Sequence, residues 1–191
     1  MIKLKNIIEG KDESHKVMKI SKFLSYVLRH HPESIGLTLD PNGGWVDVDK
    51  LIQSSGNRGV PLTMDTLMTV VKTNNKKRFE FNSDRTKIRA SQGHSVGVDL
   101  GYSPSQPPSK LYHGTAKQNL DSIRATGINK GTRQHTHLSS DIQTAMKVGS
   151  RWGDPVALEI DAEKMAADGY TFFISTNGVW LTDHVPPEYI I

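Results

Sequence analysis

Residues Ser103 to Ser109 read Ser-Pro-Ser-Gln-Pro-Pro-Ser. Proline has a fixed φ and no N–H, so neither a helix nor a central strand can run through this stretch. It reads as a semi-rigid linker that divides the chain into residues 1–102 and 110–191. The charge balance changes sign at the same place. Residues 1–102 hold 16 Lys+Arg against 11 Asp+Glu, a balance of +5, and residues 103–191 hold 8 against 9, a balance of −1. Basic surface confined to the first part is the pattern of a lobe that meets phosphates. An ordinary solvated face would account for five excess positives equally well. At 191 residues the chain can form one large domain or two small lobes, each with a modest core.

Several classes are excluded or disfavoured. No apolar run is long enough to span a bilayer, and the N-terminus MIKLKNIIEGKDESHK lacks a signal peptide's apolar stretch and cleavage site. There is no cysteine, so disulfides and zinc-thiolate sites are ruled out, which fits a reducing cytoplasm. The His135-x-His137 pair is the obvious place to look for a metal, but no acidic partner stands at ligand spacing, and no metal is expected. No two glycines are separated by a single residue, so G-x-G-x-x-G is absent, as is the P-loop pattern.

In the first part, apolar residues at 17, 20, 24 and 27 have the spacing of an amphipathic helix. Pro32 biases His31 away from helical geometry and predicts the helix end near Arg29 and His30. Asp47 and Thr63 are placed to cap two short helices through Leu51 and Leu67. RFEFNSDRTKIRA reads as two strands around Asn82-Ser83-Asp84. Helices followed by a hairpin are the order of a winged-helix module. In the second part, KLYHG, THLSS, PVALEI, TFFIS and VWLT are strand-like and alternate with two or three short helices. The fold class expected is α+β.

Local chemistry singles out several residues, each with a plainer structural reading. Arg29 and His30 close the first helix, whose carbonyl end favours positive charge and the protonated form of His30; a simple cap would look the same. If Phe79 and Phe81 face the core, alternation puts Arg78 on the other face, toward a ligand or water. Arg89, Gln92 and His94, in the stretch Lys87–Ser95, fit a surface that contacts RNA backbone phosphates, or a polar loop, and Lys22 on the first helix is a further expected RNA contact. Gly114, between His113 and Thr115, would let a ligand approach the backbone closely. His137 and Ser139 end the next strand, Arg151 follows a helix, and Val179 follows a tight Asn177-Gly178 turn.

Together these segments carry a resemblance. LSYVLRHHPESIGLTLDPNGGWVDVDKLI, KRFEF, IRASQGHSV, LYHGT, THLSS, GSRWG and NGVWLT occur in the order shown by RNA 2′-phosphotransferases of the KptA type, over about residues 18–185. Thr136 stands where that family usually has valine, and GINKGTRQ is not typical of it. The resemblance implies a winged-helix-like RNA lobe (1–102) and an ADP-ribosyltransferase-like NAD lobe (110–191). It maps a catalytic tetrad onto Arg29, His30, Arg78 and Arg151, and an ADP-ribosyltransferase triad onto His113, His137 and Val179. Gly114, Thr115 and Ser139 would also face NAD.

The implied reaction consumes NAD⁺. An internal RNA 2′-phosphate attacks C1″ of the nicotinamide ribose and expels nicotinamide. The ribose 2″-OH then attacks the phosphorus, releasing RNA with a 2′-OH and ADP-ribose 1″,2″-cyclic phosphate. A phosphate monoester with a second pKa of about 6 is largely dianionic at neutral pH and is already a nucleophile. An aliphatic Val179, where many other ADP-ribosyltransferases keep glutamate, is then understandable. The phosphate needs a fixed cationic cradle, which arginines and a protonated histidine provide without a metal. The partners expected are tRNA-like RNA with an internal 2′-phosphate and NAD, with no membrane, for a cytoplasmic monomer. Two rivals stand beside this reading: a winged-helix regulator without catalysis, and an ADP-ribosyltransferase acting on protein or on terminal nucleic-acid phosphates.

Overall fold

The computed structural model describes residues 2–191, with side chains from Ser14 onward, and the chain divides into two compact units, Met1–Gly101 and Tyr102–Ile191. Both are mixed: helices pack on small antiparallel sheets, an α+β architecture. Among the described residues no helix is long and apolar enough to cross a membrane.

The first unit opens with helix α1 (Ile2–Arg29). It ends where Pro32 requires: Pro32–Ile35 form a 3-10 turn, closed by Gly36 in the left-handed conformation at φ 72°. Strand β1 (Val46–Asp47) leads into helix α2 (Val48–Gly56), and Asp47 accepts from the Lys50 N–H at 2.9 Å. Helix α3 (Met64–Thr73) is capped by Thr63 in a reciprocal box with Thr66. Strands β2 (Phe79–Phe81) and β3 (Lys87–Ala90) form the hairpin, and the sheet order is β1-β3-β2. The core joins Leu24, Val27 and Leu28 of α1 to Leu51, Leu67, Val70, Phe79 and Ile88. Burial of each such side chain contributes about 1.5–3 kcal/mol.

In the second unit, strand β4 (Lys110–Ala116) is followed by α4 (Leu120–Thr126), β5 (Ile128–Asn129), β6 (Thr136–Leu138) and α5 (Ile142–Gly149). Then come β7 (Pro155–Asp161), α6 (Ala162–Ala167), β8 (Phe172–Ile174), β9 (Trp180–Thr182) and β10 (His184–Val185). Strand β4 pairs with β7 along seven residue pairs, and β6 pairs with β9, which pairs with β8. Tyr112 and Ser139 exchange both backbone hydrogen bonds, 2.7 and 2.8 Å, and so join β4 to β6. All five strand-like runs are strands. The pair β5–β10 was not anticipated; two residues per strand leave no visible period. The proline-rich stretch belongs to this unit, because the Ser105 N–H donates to the Phe172 carbonyl at 2.8 Å.

Candidate active site

In the first unit the chemistry gathers around one short turn. Ser91 begins it: its N–H donates to the Arg78 carbonyl at 2.8 Å and its hydroxyl to the Lys77 carbonyl at 2.9 Å. Ser95 ends it: its N–H donates to the Arg29 carbonyl at 2.9 Å, and its Oγ lies 3.0 Å from Nδ1 of His30. Gly93, at φ 87°, makes the reversal. One five-residue turn therefore holds Arg78 on one side and Arg29–His30 on the other. Arg78 Nη1 also donates to Asn74 Oδ1 at 3.4 Å, and the Arg29 guanidinium carbon lies 6.0 Å from the Phe79 ring centre. Lys22 and Arg78 line one groove of ≈ 560 Å³ together with Ser21, Asn74 and Lys76.

Of the expected RNA contacts, His94 is corrected and Arg89 has partners within the first unit. His94 is 1% exposed, so it does not offer its ring to RNA. Burial first, then the charges of Arg29, His30 and Arg89, lower its pKa to about 4 and keep it neutral; the Leu28 carbonyl opposes this and is outweighed. Neither ring nitrogen makes a well-formed hydrogen bond within the protein. The neighbours that bury it come from elsewhere in the sequence, including Gly44, where a Cβ would stand 3.4 Å from His94 Nε2 and 3.2 Å from Leu100. Arg89 is committed as well. Its Nε donates to Glu80 at 2.7 Å and its Nη1 to the Gly43 carbonyl at 3.1 Å, and its guanidinium stacks 4.4 Å from the Trp45 ring centre. Lys22 is exposed and Gln92 half-buried.

In the second unit, strand register brings His113, His137, Ser139 and Val179 onto neighbouring strands. Tyr112 faces Ser139, and one step beyond the Leu138–Trp180 pair lie Ser139 and Val179. His113 Nδ1 lies 3.1 Å from the His137 carbonyl. A carbonyl only accepts, so Nδ1 carries the proton and donates. Burial lowers the pKa of His113, the bond to His137 opposes the shift, and the charge of Arg133 adds to it. In the resulting neutral ring Nε2 is a bare acceptor, suited to a hydroxyl or amide donor. Val179 is set by the Ser175–Val179 turn: its N–H donates to Ser175 Oγ at 3.0 Å, and Gly178 takes φ 78°.

Gly114 has a different role from the one expected. A Cβ there would stand 1.8 Å from the Ala145 carbonyl oxygen, and one at Gly149 would stand 2.4 Å from the Thr115 carbonyl oxygen. The space beside Gly114 is filled by the backbone of α5. Thr115 is buried, with its Oγ1 accepting from Asn119 Nδ2 at 3.1 Å. The Ser139 hydroxyl accepts from the Asp141 N–H at 3.0 Å at the entry to α5. These three groups build the seat of α5, whose far end leads to Arg151. Asp141 caps that helix through the N–H of Thr144 at 2.7 Å.

Arg133 was missed by sequence reasoning, which saw only an atypical segment. Although the residue is exposed, its guanidinium is partly desolvated, and this together with the charge of Arg151 lowers its pKa. The charge of Arg133 thus acts on Arg151 and also on His113. His135 stands against the rings of Tyr102 and Phe173, with centroids 6.2 and 5.6 Å away. Among the described residues, no three His, Cys, Asp or Glu side chains come together as metal ligands would.

Comparison with known proteins identifies the family. Residues 15–184 match the model of the "RNA 2'-phosphotransferase, Tpt1 / KptA family". A protein of Burkholderia lata named "Probable RNA 2'-phosphotransferase" is 54% identical over 173 residues, covering 90% of this chain and 89% of its own length. Proteins of the same name from Hahella chejuensis and Flavobacterium johnsoniae are 50% and 53% identical, covering 92% and 90% of this chain and 94% and 93% of their own lengths. With a family match spanning nearly all of both units and half the residues shared with such relatives, the chain belongs to the RNA 2'-phosphotransferase, Tpt1 / KptA family.

Proposed function

We propose that this protein removes an internal 2′-phosphate from RNA, consuming NAD⁺ and releasing nicotinamide and ADP-ribose 1″,2″-cyclic phosphate. One observation carries the reading: a single turn, residues 91–95, bonds the backbone carbonyls of Arg29 and Arg78 and the ring of His30, basic residues from two separate elements of the first unit. A fixed set of cations is what a phosphate dianion requires and what solvent-exposed lysines do not provide. Arg29, His30, Arg78 and Arg151 supply the charge that binds the phosphate and stabilises the five-coordinate phosphorus of the second step. Lys22 and Gln92 contact the RNA in a winged-helix-like lobe.

The second unit fits NAD⁺ as its co-substrate in an ADP-ribosyltransferase-like lobe. Neutral His113 presents Nε2 as an acceptor to a ribose hydroxyl, with its tautomer held by the His137 carbonyl. Val179 contributes no base, and the 2′-phosphate, already anionic, needs none. Arg133 adds charge beside Arg151, fitting the pyrophosphate.

The test is incubation with an internally 2′-phosphorylated oligonucleotide and NAD⁺, followed by mass analysis of both products. The expected result is RNA lighter by one phosphate, with cyclic-phosphorylated ADP-ribose. Unchanged RNA overturns the reading. ADP-ribose retained on a terminal phosphate would favour the nucleic-acid ADP-ribosyltransferase instead.

A further inference from the structure

We infer that Ser95 is a positioning residue for His30, and that the turn Ser91–Ser95 is the clamp that presents the first unit's cations. The inference rests on the proposed function in taking His30 as a site residue. Ser95 reaches two consecutive residues at the end of α1, by its N–H to the Arg29 carbonyl (2.9 Å) and by its hydroxyl to His30 Nδ1 (3.0 Å). The chain here has already left the helix. Both His30 and His31 direct their N–H to the Tyr26 carbonyl, at 3.1 and 3.0 Å, so the local backbone alone does not orient the ring.

A hydroxyl suits this place because it both donates and accepts. It donates to Nδ1 of a neutral imidazole and accepts from Nδ1–H of an imidazolium. In either protonation state the hydroxyl engages Nδ1 and so fixes the orientation of the ring. The turn itself is held at its far end by Ser91 on the carbonyls of Lys77 and Arg78, and at its middle by His94, buried beneath it. Because His94 stays neutral, it adds no further charge to the cluster it supports. Movement of the turn would displace Arg78 and His30 together.

Ser95 is exposed, so loss of its hydroxyl leaves water in its place and removes no core contact. The experiment compares wild type, Ser95→Ala and Ser95→Thr in two ways. The first is the ¹⁵N signal of His30 Nδ1 in protein labelled at histidine nitrogen. The second is kcat and KM with 2′-phosphorylated RNA and NAD⁺. Ser95→Ala is expected to move the Nδ1 signal while leaving Nε2 nearly in place. It should lower kcat about three- to tenfold, the worth of one hydrogen bond, with KM for both substrates unchanged. Ser95→Thr keeps the hydroxyl and restores both readouts. An Ala variant identical to wild type in signal and kcat overturns the inference, as does one that raises KM alone. Should Ser95→Ala not fold, a wild-type Nδ1 signal typical of a solvated ring would overturn it by itself. If wild-type protein leaves the RNA untouched, the proposed function fails, and the nitrogen signals still decide the clamp.

Discussion

Arg29 is the last residue of α1, and Arg151 lies two residues beyond α5, so each stands where a helix's carbonyl end favours a cation. The two helices are held differently. Helix α1 is fixed by apolar side chains, with Leu24, Val27 and Leu28 fully buried, and its end is then trimmed by hydrogen bonds from the 91–95 turn. Helix α5 is held backbone against backbone: Gly114 and Gly149 leave no room for a Cβ between it and β4. The first arrangement tolerates small changes, because side chains and a polar turn can shift by tenths of an ångström. The second does not, because carbonyl groups of a helix and a strand cannot move without breaking their own ladders.

The largest effects are expected where the two units are asked to do the same thing. Arg78→Ala in the first and Arg151→Ala in the second should each slow the second chemical step by about 100- to 1000-fold, ~3–4 kcal/mol. The first step suffers less, because cations that bind a nucleophilic phosphate also stabilise its ground state. ADP-ribosylated RNA should therefore build up, visible as a slower band in a time course with labelled RNA on a denaturing gel. Equal loss of substrate consumption and product formation in both variants, with no such band, would make the arginines binders of the RNA phosphate only.

Gly114→Ala separates the two modes of support. A single methyl at 1.8 Å from a backbone oxygen forces α5 off its strand, with an expected cost of ~3 kcal/mol. Urea unfolding should show it, and arginine-dependent activity should fall in proportion to the folded fraction or further. A variant as stable as wild type would mean that α5 has room to slide, and the rigidity argued for the second unit would be lost.

Much of this was legible in the sequence where a signal is local. Pro32 marked the end of α1, Asp47 and Thr63 marked helix starts, and Asn82-Ser83-Asp84 marked a hairpin. The order of motifs carried the family, since chain order survives even where contacts are unknown. What was not legible is what lies across the fold. Gly114 reads as an opening for a ligand until α5 is seen filling it. His94 sits in a polar run and reads as surface, yet it is buried, with Gly44, fifty positions away, close to its ring. Ser95 lies within the IRASQGHSV motif, but only its distance to His30 reveals what it touches.

The buried histidine predicts a pH dependence that belongs to the first unit. With a folded pKa of about 4 against an ordinary 6.5, His94 is neutral in the native state and gains a proton more readily when the chain unfolds. Its contribution is thus fully present above about pH 6.5 and is lost as pH falls toward 4. Between pH 7 and pH 5 the loss is about 2 kcal/mol. His113 in the second unit shifts in the same direction, so its share has the same sign. Urea midpoints of wild type and His94→Gln, taken at pH 7 and pH 5, measure the first unit's part. If the variant keeps the full pH slope, proton uptake at His94 is not its source.

The smallest effects compare two helix caps. Thr63 starts α3 through a reciprocal box with Thr66, at 3.2 Å and 2.9 Å, and Thr63→Ala should cost about 1 kcal/mol. Asp141 starts α5, receiving the N–H groups of Thr144 and Gln143 at 2.7 and 3.4 Å, and Asp141→Ala is also destabilising. The consequences should differ in where they travel. Helix α3 ends at Thr73, before the Asn74 side chain that meets Arg78, and its buried face, Leu67 and Val70, holds it in place after its first turn frays. Helix α5 has only eight residues, so fraying its first turn loosens a large part of the path to Arg151. Amide exchange should quicken in the first turn of α3 in one variant and along all of α5 in the other. Turnover should be close to wild type for Thr63→Ala and reduced for Asp141→Ala at equal folded fraction. Reduced turnover in Thr63→Ala, with exchange unchanged beyond α3, would show that the first unit's site depends on its helices as tightly as the second's does.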